Sequence, residues 1–204
     1  MKVIFVRHAD LACPYDNYDR LSLEQLDLLA TGTAQPHINT KLAMAKIQKH
    51  IADGFFAKDG INAIYYSPAL RAKETAALLA GTLDVTEVEE LGCLHEIVFS
   101  PSKLISEATF QRKGMDVVRE AVYKAVAENK ADEATPAMLA RVRQIQSLIA
   151  RNDDKTIIIV THGFFMRLLQ LVFLLKTVHF SVSNQQQVVN YDYLQGFAYT
   201  EDQS

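Results

Sequence analysis

Cysteine is scarce: Cys13 and Cys93 are the only thiols in 204 residues. Neither stands at metal-site spacing from a second ligand, and two thiols do not make a disulfide scaffold, so the expected compartment is the cytoplasm. Long apolar runs are also missing. The run from Val3 to Val6 ends at Arg7, His8 and Asp10, which is not the pattern of a signal peptide. The most apolar later stretch, Gly163 to Phe180, is cut by Arg167 and Lys176, so it reads as a buried helix and no membrane partner is expected. Neither sign of charge is in excess. Lys and Arg number 21 against 24 Asp and Glu, a formal net charge of -3, and that balance gives no electrostatic footprint for nucleic acid. His37, His50 and His179 lack the spacing of a metal site, and nothing in the chain calls for a cofactor or a metal ion.

A core, by contrast, is amply provided, since 49% of the residues are hydrophobic. The chain is of a length for one domain, and no repeat or low-complexity linker divides it. Lys2 to Val6 predicts a buried strand that opens directly into a polar loop. Cys13 to Arg20 reads as loop. Ser22 with Gln25 forms a capping-box signal for a short helix over Leu23, Leu26 and Leu29. A longer helix is expected from about Ile38 to Ala52, burying Leu42, Ala45, Ile47 and Ile51.

Ile61 to Tyr66 predicts a second strand, followed by a helix through Leu79 with Gly81 as its stop. Leu83 to Val88 alternates as a third strand. Residues 100–150 read as helical, broken at Gly114 and across Glu128 to Pro136, with a stripe of Met138, Val142, Ile145 and Ile149. The part around 100–136 reads as an insertion forming a lid or side wall. Thr156 to Val160 is β-branched and fits the centre of a sheet. The helix Phe164 to Leu175 follows, then an outer strand over Val182 to Tyr193 and a small one over Phe197 to Thr200. Strands alternating with helices predict a three-layer α/β domain.

Ligands in such folds sit beyond the carboxyl ends of the strands. Three of those ends carry Arg7-His8, Ser67-Pro68 with Arg71 close behind, and Thr161-His162. A neutral imidazole at His8 is a competent nucleophile that can carry a phosphoryl group. Guanidinium groups at Arg7 and Arg71 match the oxygens of a transferring phosphoryl group, and His162 can donate to one of them. Arg71 lies near the positive end of a helix, a misfit that an anionic ligand resolves. A phosphate near the helix that starts after His162 would also gain from its backbone N–H groups.

Val6-Arg7-His8-Ala9-Asp10, Ser67-Pro68-Ala69-Leu70-Arg71-Ala72 with Thr75-Ala76, and Thr161-His162-Gly163 resemble the three signature blocks of the histidine phosphatase superfamily. Order and spacing match across nearly the whole chain. The resemblance implies a phosphoglycerate mutase-like α/β/α sandwich around a mostly parallel sheet, with His8 phosphorylated and Arg7, Arg71 and His162 completing the phosphate pocket. It implies a carboxylate acid/base, at Glu96 in Leu94-His95-Glu96, with Glu90 as the alternative. Asn17, Ser67 and Phe164 are the expected substrate-binding residues, and Arg20 a further candidate at the entrance. The chain departs from the family at Ala9, where glycine is usual, and lacks the Gly-x-Trp-Glu-Gly that commonly follows the acid. The implied activity is hydrolysis of a phosphomonoester, on a small molecule or a phosphorylated protein, in a chain compatible with a homodimer. The alternatives are a phosphoglycerate mutase-type phosphotransferase and a catalytically impaired phosphate-binding protein.

Overall fold

The computed structural model describes residues 1–57 and 60–200. Its centre is one sheet whose neighbours run β3-β2-β4-β1-β5. The strands are β1 (Lys2–Arg7), β2 (Ala63–Tyr66), β3 (Glu87–Glu90), β4 (Thr156–Thr161) and β5 (Gly196–Thr200). All adjacent pairs are parallel except β1 with β5. The central position of β4 follows from its composition, since Ile157, Ile158, Ile159 and Val160 are all fully buried and a strand covered on both faces has no use for alternation.

Alternate residues divide between two cores, which makes the sandwich. Val3, Phe5, Ile157 and Ile159 point to one face, against α1 (Leu23–Ala30), α6 (Met115–Ala127), α7 (Thr135–Ala150) and α8 (Gly163–Phe173). Ile4, Val6, Ile64, Ile158 and Val160 point to the other, against α2 (Thr40–Ala52) and α3 (Leu70–Leu83). The capping box at Ser22 is formed as expected, with the Ser22 hydroxyl accepting from Gln25 N–H and the Gln25 side chain accepting from Ser22 N–H. The stripe Met138, Val142, Ile145 and Ile149 is buried on α7.

Several expectations are corrected. On α2 the buried residues are Ala43 and Ile47, while Leu42 stays exposed. Helix α3 runs past Gly81 and stops at Asp84, whose φ of 56° is left-handed. The third strand therefore starts at Glu87 rather than Leu83, and every residue of it is exposed. Glu87, Glu89 and Glu90 are a charged edge, which discourages pairing with another chain. Residues 182–193 form no strand: a short helix α9 (Val182–Gln185) leads into a loop. Between α3 and α7 lie the short helices α4 (Pro101–Leu104) and α5 (Glu107–Lys113), then α6. No helix among the described residues is long and apolar enough to cross a membrane.

One glycine is dictated by geometry. Gly196 pairs with Val6 in β5, and a Cβ placed there would lie 1.7 Å from the Phe5 carbonyl oxygen. Gly196→Ala must push β5 away from β1, so an overpacking cost of at least ~2 kcal/mol and a fall in Tm of about 5 °C are expected on thermal unfolding.

Candidate active site

Register builds the site. Arg7 pairs with Thr161 across β1 and β4, so the next residues, His8 and His162, leave the sheet side by side. Their ring centroids are 5.2 Å apart. Tyr66 pairs with Val160 across β2 and β4, which brings Ser67 beside His162. The backbone holds the strand ends together: His8 N–H donates to Thr161 O (2.9 Å) and Ser67 N–H to Val160 O (3.1 Å).

His8 is buried, and its Nδ1–H donates to the Ala9 carbonyl at 2.8 Å. That bond fixes the tautomer and leaves the lone pair on Nε2. Burial, then the charges of Arg71 and Arg7, hold the His8 pKa well below its ordinary value, so the ring stays neutral. Ala9 is fully buried, and its N–H donates to Thr75 Oγ1 at 2.9 Å. It is not among the residues with positive φ, so alanine is accommodated where the family has glycine.

His162 is buried, with Nε2 2.7 Å from Ser67 Oγ. Ser67 Oγ also accepts from Ala69 N–H (3.4 Å); with its hydroxyl proton given to His162 Nε2, the other ring nitrogen, Nδ1, carries the ring proton and is a donor. Burial, with Arg71 next, also lowers the His162 pKa well below the usual value.

Arg7 donates through Nη1 to the Tyr191 carbonyl (2.9 Å) and lies 4.1 Å from the centre of the Tyr193 ring. Arg71, in the first turn of α3, is 5% exposed. Among the described residues, Arg7 Nε, Arg71 Nη1 and His162 Nδ1 are buried nitrogens of separate segments that have no hydrogen-bond partner. Buried polar nitrogens left without a partner are costly unless water or a ligand meets them.

Glu96 is held from both sides. Its Oε1 accepts from Ile97 N–H (3.0 Å) and Phe165 N–H (2.7 Å), and its Oε2 accepts from Phe164 N–H (3.1 Å). The N–H groups of Phe164 and Phe165 in the first turn of α8 are thus taken by a carboxylate, while Gly163, the first residue of that helix, lines the cavity. Burial raises the Glu96 pKa above the ordinary glutamate value, and the three backbone bonds and Arg71 only partly oppose it. A buried ion pair steadies the loop beneath. Arg141 Nε and Nη2 each bond Glu133 at 2.8 Å, and Arg141 Nη1 donates to the carbonyls of Cys93 (3.0 Å) and His95 (2.7 Å).

A cavity of about 330 Å³ opens over these groups. Arg7, His8, Arg71, Glu96 and Phe164 line it. Ser67 is fully buried against His162 and does not line the cavity. Asn17 does not line the cavity; its Oδ1 accepts from Asp19 N–H and caps the helical turn Tyr18–Arg20. Arg20 is exposed and lies outside the lining, and Glu90 sits on the exposed edge strand, so of the two candidate carboxylates only Glu96 reaches the cavity. Tyr18, Tyr191, Asp192 and Asn190 line it without having been singled out in the sequence. So do Phe99, Pro101, Met115, Val118, Arg119 and Tyr123 around the 100–136 segment.

Fold and site define an α/β protein with a cationic oxyanion pocket at the carboxyl ends of its parallel strands. The chain belongs to the histidine phosphatase superfamily (branch 1), whose family profile matches residues 3–190. The same fold occurs in a phosphoserine phosphatase mutant from Entamoeba histolytica in complex with phosphoserine (17% identity, TM-score 0.59, covering 97% of this chain and 89% of that one). It occurs also in a mycobacterial glucosyl-3-phosphoglycerate phosphatase (15%, TM-score 0.63, 97% and 88%) and in a Bacillus anthracis phosphoglycerate mutase (14%, TM-score 0.57, 97% and 86%). Among curated proteins, none matches the chain by sequence.

Proposed function

We propose that the protein is a metal-independent phosphomonoester hydrolase that works through a phosphohistidine on His8. The observation that carries this reading is that buried nitrogens of Arg7 (Nε), Arg71 (Nη1) and His162 (Nδ1) lack a partner, in side chains whose charges or ring act on His8, whose Nε2 lone pair is free. Two guanidinium groups and an imidazole N–H supply the charge and the donors that a transferring phosphoryl group needs. His8 Nε2 attacks phosphorus in line as the ester P–O bond breaks, and Glu96 gives its proton to the departing oxygen. Glu96, now a carboxylate, takes a proton from water. The water oxygen attacks phosphorus, the N–P bond breaks, and inorganic phosphate leaves with His8 neutral again.

Within Glu96 the proton belongs on Oε2. Oε1 already accepts two backbone N–H bonds and Oε2 only one, so Oε2 keeps a lone pair for substrate or water. Hydrolysis is favoured over mutase chemistry by the distribution of cations: among the described residues, Arg119 is the one Lys or Arg besides Arg7 and Arg71 that lines the cavity, too little to hold a bisphosphate.

The test is turnover of p-nitrophenyl phosphate in excess EDTA, with rapid alkaline quenching to recover acid-labile phosphoprotein. Undiminished turnover with a phosphorylated histidine mapped to residue 8 is the expected result. Activity that disappears on chelation and returns with a divalent cation would remove the proposal.

A further inference from the structure

Two kinds of wall meet in the cavity. The strand ends contribute the charged groups already described. The helices contribute Leu26 and Leu29 from α1, Met115 and Val118 from α6 and Phe164 from α8, and the loop before α4 adds Phe99, whose ring centroid is 4.8 Å from that of Phe164. Leu26, Leu29, Phe99 and Val118 belong at the same time to the larger hydrophobic core, so this wall is backed by packed protein and keeps its shape. At about 330 Å³ the cavity stands at the small end of ligand pockets. It holds a phosphoryl group and one modest organic body.

The charges around that body are unfavourable to a second anion. Beyond Arg7 and Arg71 the lining offers Arg119, which is already bound to Asp116 one turn earlier on α6. Asp192 also lines the space and sets an acidic side chain beside any second anion. A substrate with a carboxylate beside its phosphate, such as phosphoserine or 3-phosphoglycerate, meets one partly exposed guanidinium shared with Asp116, and otherwise the neutral side chains of Tyr18, Tyr123 and Asn190 and the apolar wall. A substrate with an uncharged hydrocarbon body loses nothing there and gains the burial of its own surface.

Building on the phosphatase reading, we infer that the substrate of this site is a phosphomonoester of an uncharged apolar alcohol or phenol, seated with its body against Leu26, Leu29, Phe99, Met115, Val118 and Phe164. Binding and turnover then grow with the length of the hydrocarbon. Each fully buried methylene is worth about fourfold in affinity, and partial burial over a few of them still gives at least about tenfold.

Alkyl phosphates are the right probes because their leaving groups have nearly equal basicity along the series, so chain length changes contact and not chemistry. The wild-type protein is titrated calorimetrically with ethyl-, butyl- and hexylphosphonate and with 3-phosphoglycerate, and kcat/KM is measured for the matching alkyl phosphates and for phosphoserine. Expected are an affinity at least about tenfold higher for hexyl- than for ethylphosphonate, a parallel rise in kcat/KM, and weaker binding of 3-phosphoglycerate than of hexylphosphonate. Val118→Ala, checked for an intact thermal transition, is expected to shrink the chain-length gain, since it removes part of the apolar wall. A flat series, or 3-phosphoglycerate as the tightest ligand, overturns the apolar assignment while hydrolysis of any phosphomonoester keeps the phosphatase reading. Phosphonates that bind with the expected slope while no ester turns over would uphold the apolar wall and defeat the phosphatase reading instead.

Discussion

His8→Ala is expected to lower kcat for p-nitrophenyl phosphate by on the order of 10⁴-fold or more and to abolish the phosphorylated protein recovered on alkaline quenching. The size of the effect follows from the division of labour in the pocket. Arg7, Arg71 and His162 each keep a hold independent of the His8 ring, although that ring packs against His162 and Tyr193: the Tyr191 carbonyl for Arg7, the α3 backbone for Arg71 and the Ser67 hydroxyl for His162. The phosphate seat therefore survives the substitution. Only the lone pair at Nε2 is lost, so the affinity for phosphate is expected to stay within about tenfold while kcat collapses. A binding titration beside the rate separates this from general damage, because a misfolded site would lose both together. The variant's rate near wild type would mean that water attacks the ester directly, and the covalent route would be abandoned. Imidazole added to the variant offers a further check, since it can enter the space left by the ring and restore part of the turnover.

The parts of this site that were legible in the sequence are those that a strand delivers. A β-branched run such as Thr156 to Val160 has a single good home in the middle of a sheet, and once β4 is placed there, register carries Arg7, His8, Ser67 and His162 to one edge. What was not legible lies in loops whose patterns imitate regular structure. Val189, Tyr191 and Tyr193 alternate as a strand would, yet Leu194 adopts a left-handed φ of 62° and the segment turns back on β1, with Leu194 N–H bonded to Arg7 O. The alternation serves another purpose: the Tyr191 carbonyl and the Tyr193 ring fix the Arg7 guanidinium. Asn17 misled for the converse reason, because a polar residue in a loop beside a site is as well suited to capping a turn as to meeting a ligand. Arg141 and Glu133 gave little signal, being two charges eight residues apart that read as solvated ends of helical text. Only the tertiary structure buries them as a pair under the loop that carries Glu96. Capping of α8 by that glutamate was hidden likewise, since helix-capping patterns are local and Glu96 is distant in sequence from Phe164.

Glu96→Gln separates the two halves of the proposed reaction. The amide is isosteric, but it has no proton to give to a leaving oxygen and no charge with which to draw a proton from water. General acid–base catalysis contributes about 10² to 10⁴ in rate, and the loss is expected to depend on the leaving group. An alkyl phosphate, whose alkoxide must be protonated as it departs, should lose on the order of 10³-fold. p-Nitrophenolate leaves readily without a proton, so the first step with p-nitrophenyl phosphate should be nearly spared and the second step crippled. The expected trace is a burst of nitrophenolate equal to the enzyme, followed by slow turnover, with phosphohistidine accumulating. The pH profile carries the sign. Burial raises the folded pKa of Glu96, so its protonated form persists above the ordinary glutamate range and is lost as pH rises through that elevated value. His8, with its pKa driven down, stays neutral and nucleophilic well below the ordinary histidine range. Wild-type kcat/KM on an alkyl phosphate should therefore be highest on the acid side of neutrality and fall toward alkaline pH, and the Glu96→Gln variant should lose that alkaline limb. An alkaline limb unchanged in the variant, with no burst, would show that another group moves the proton.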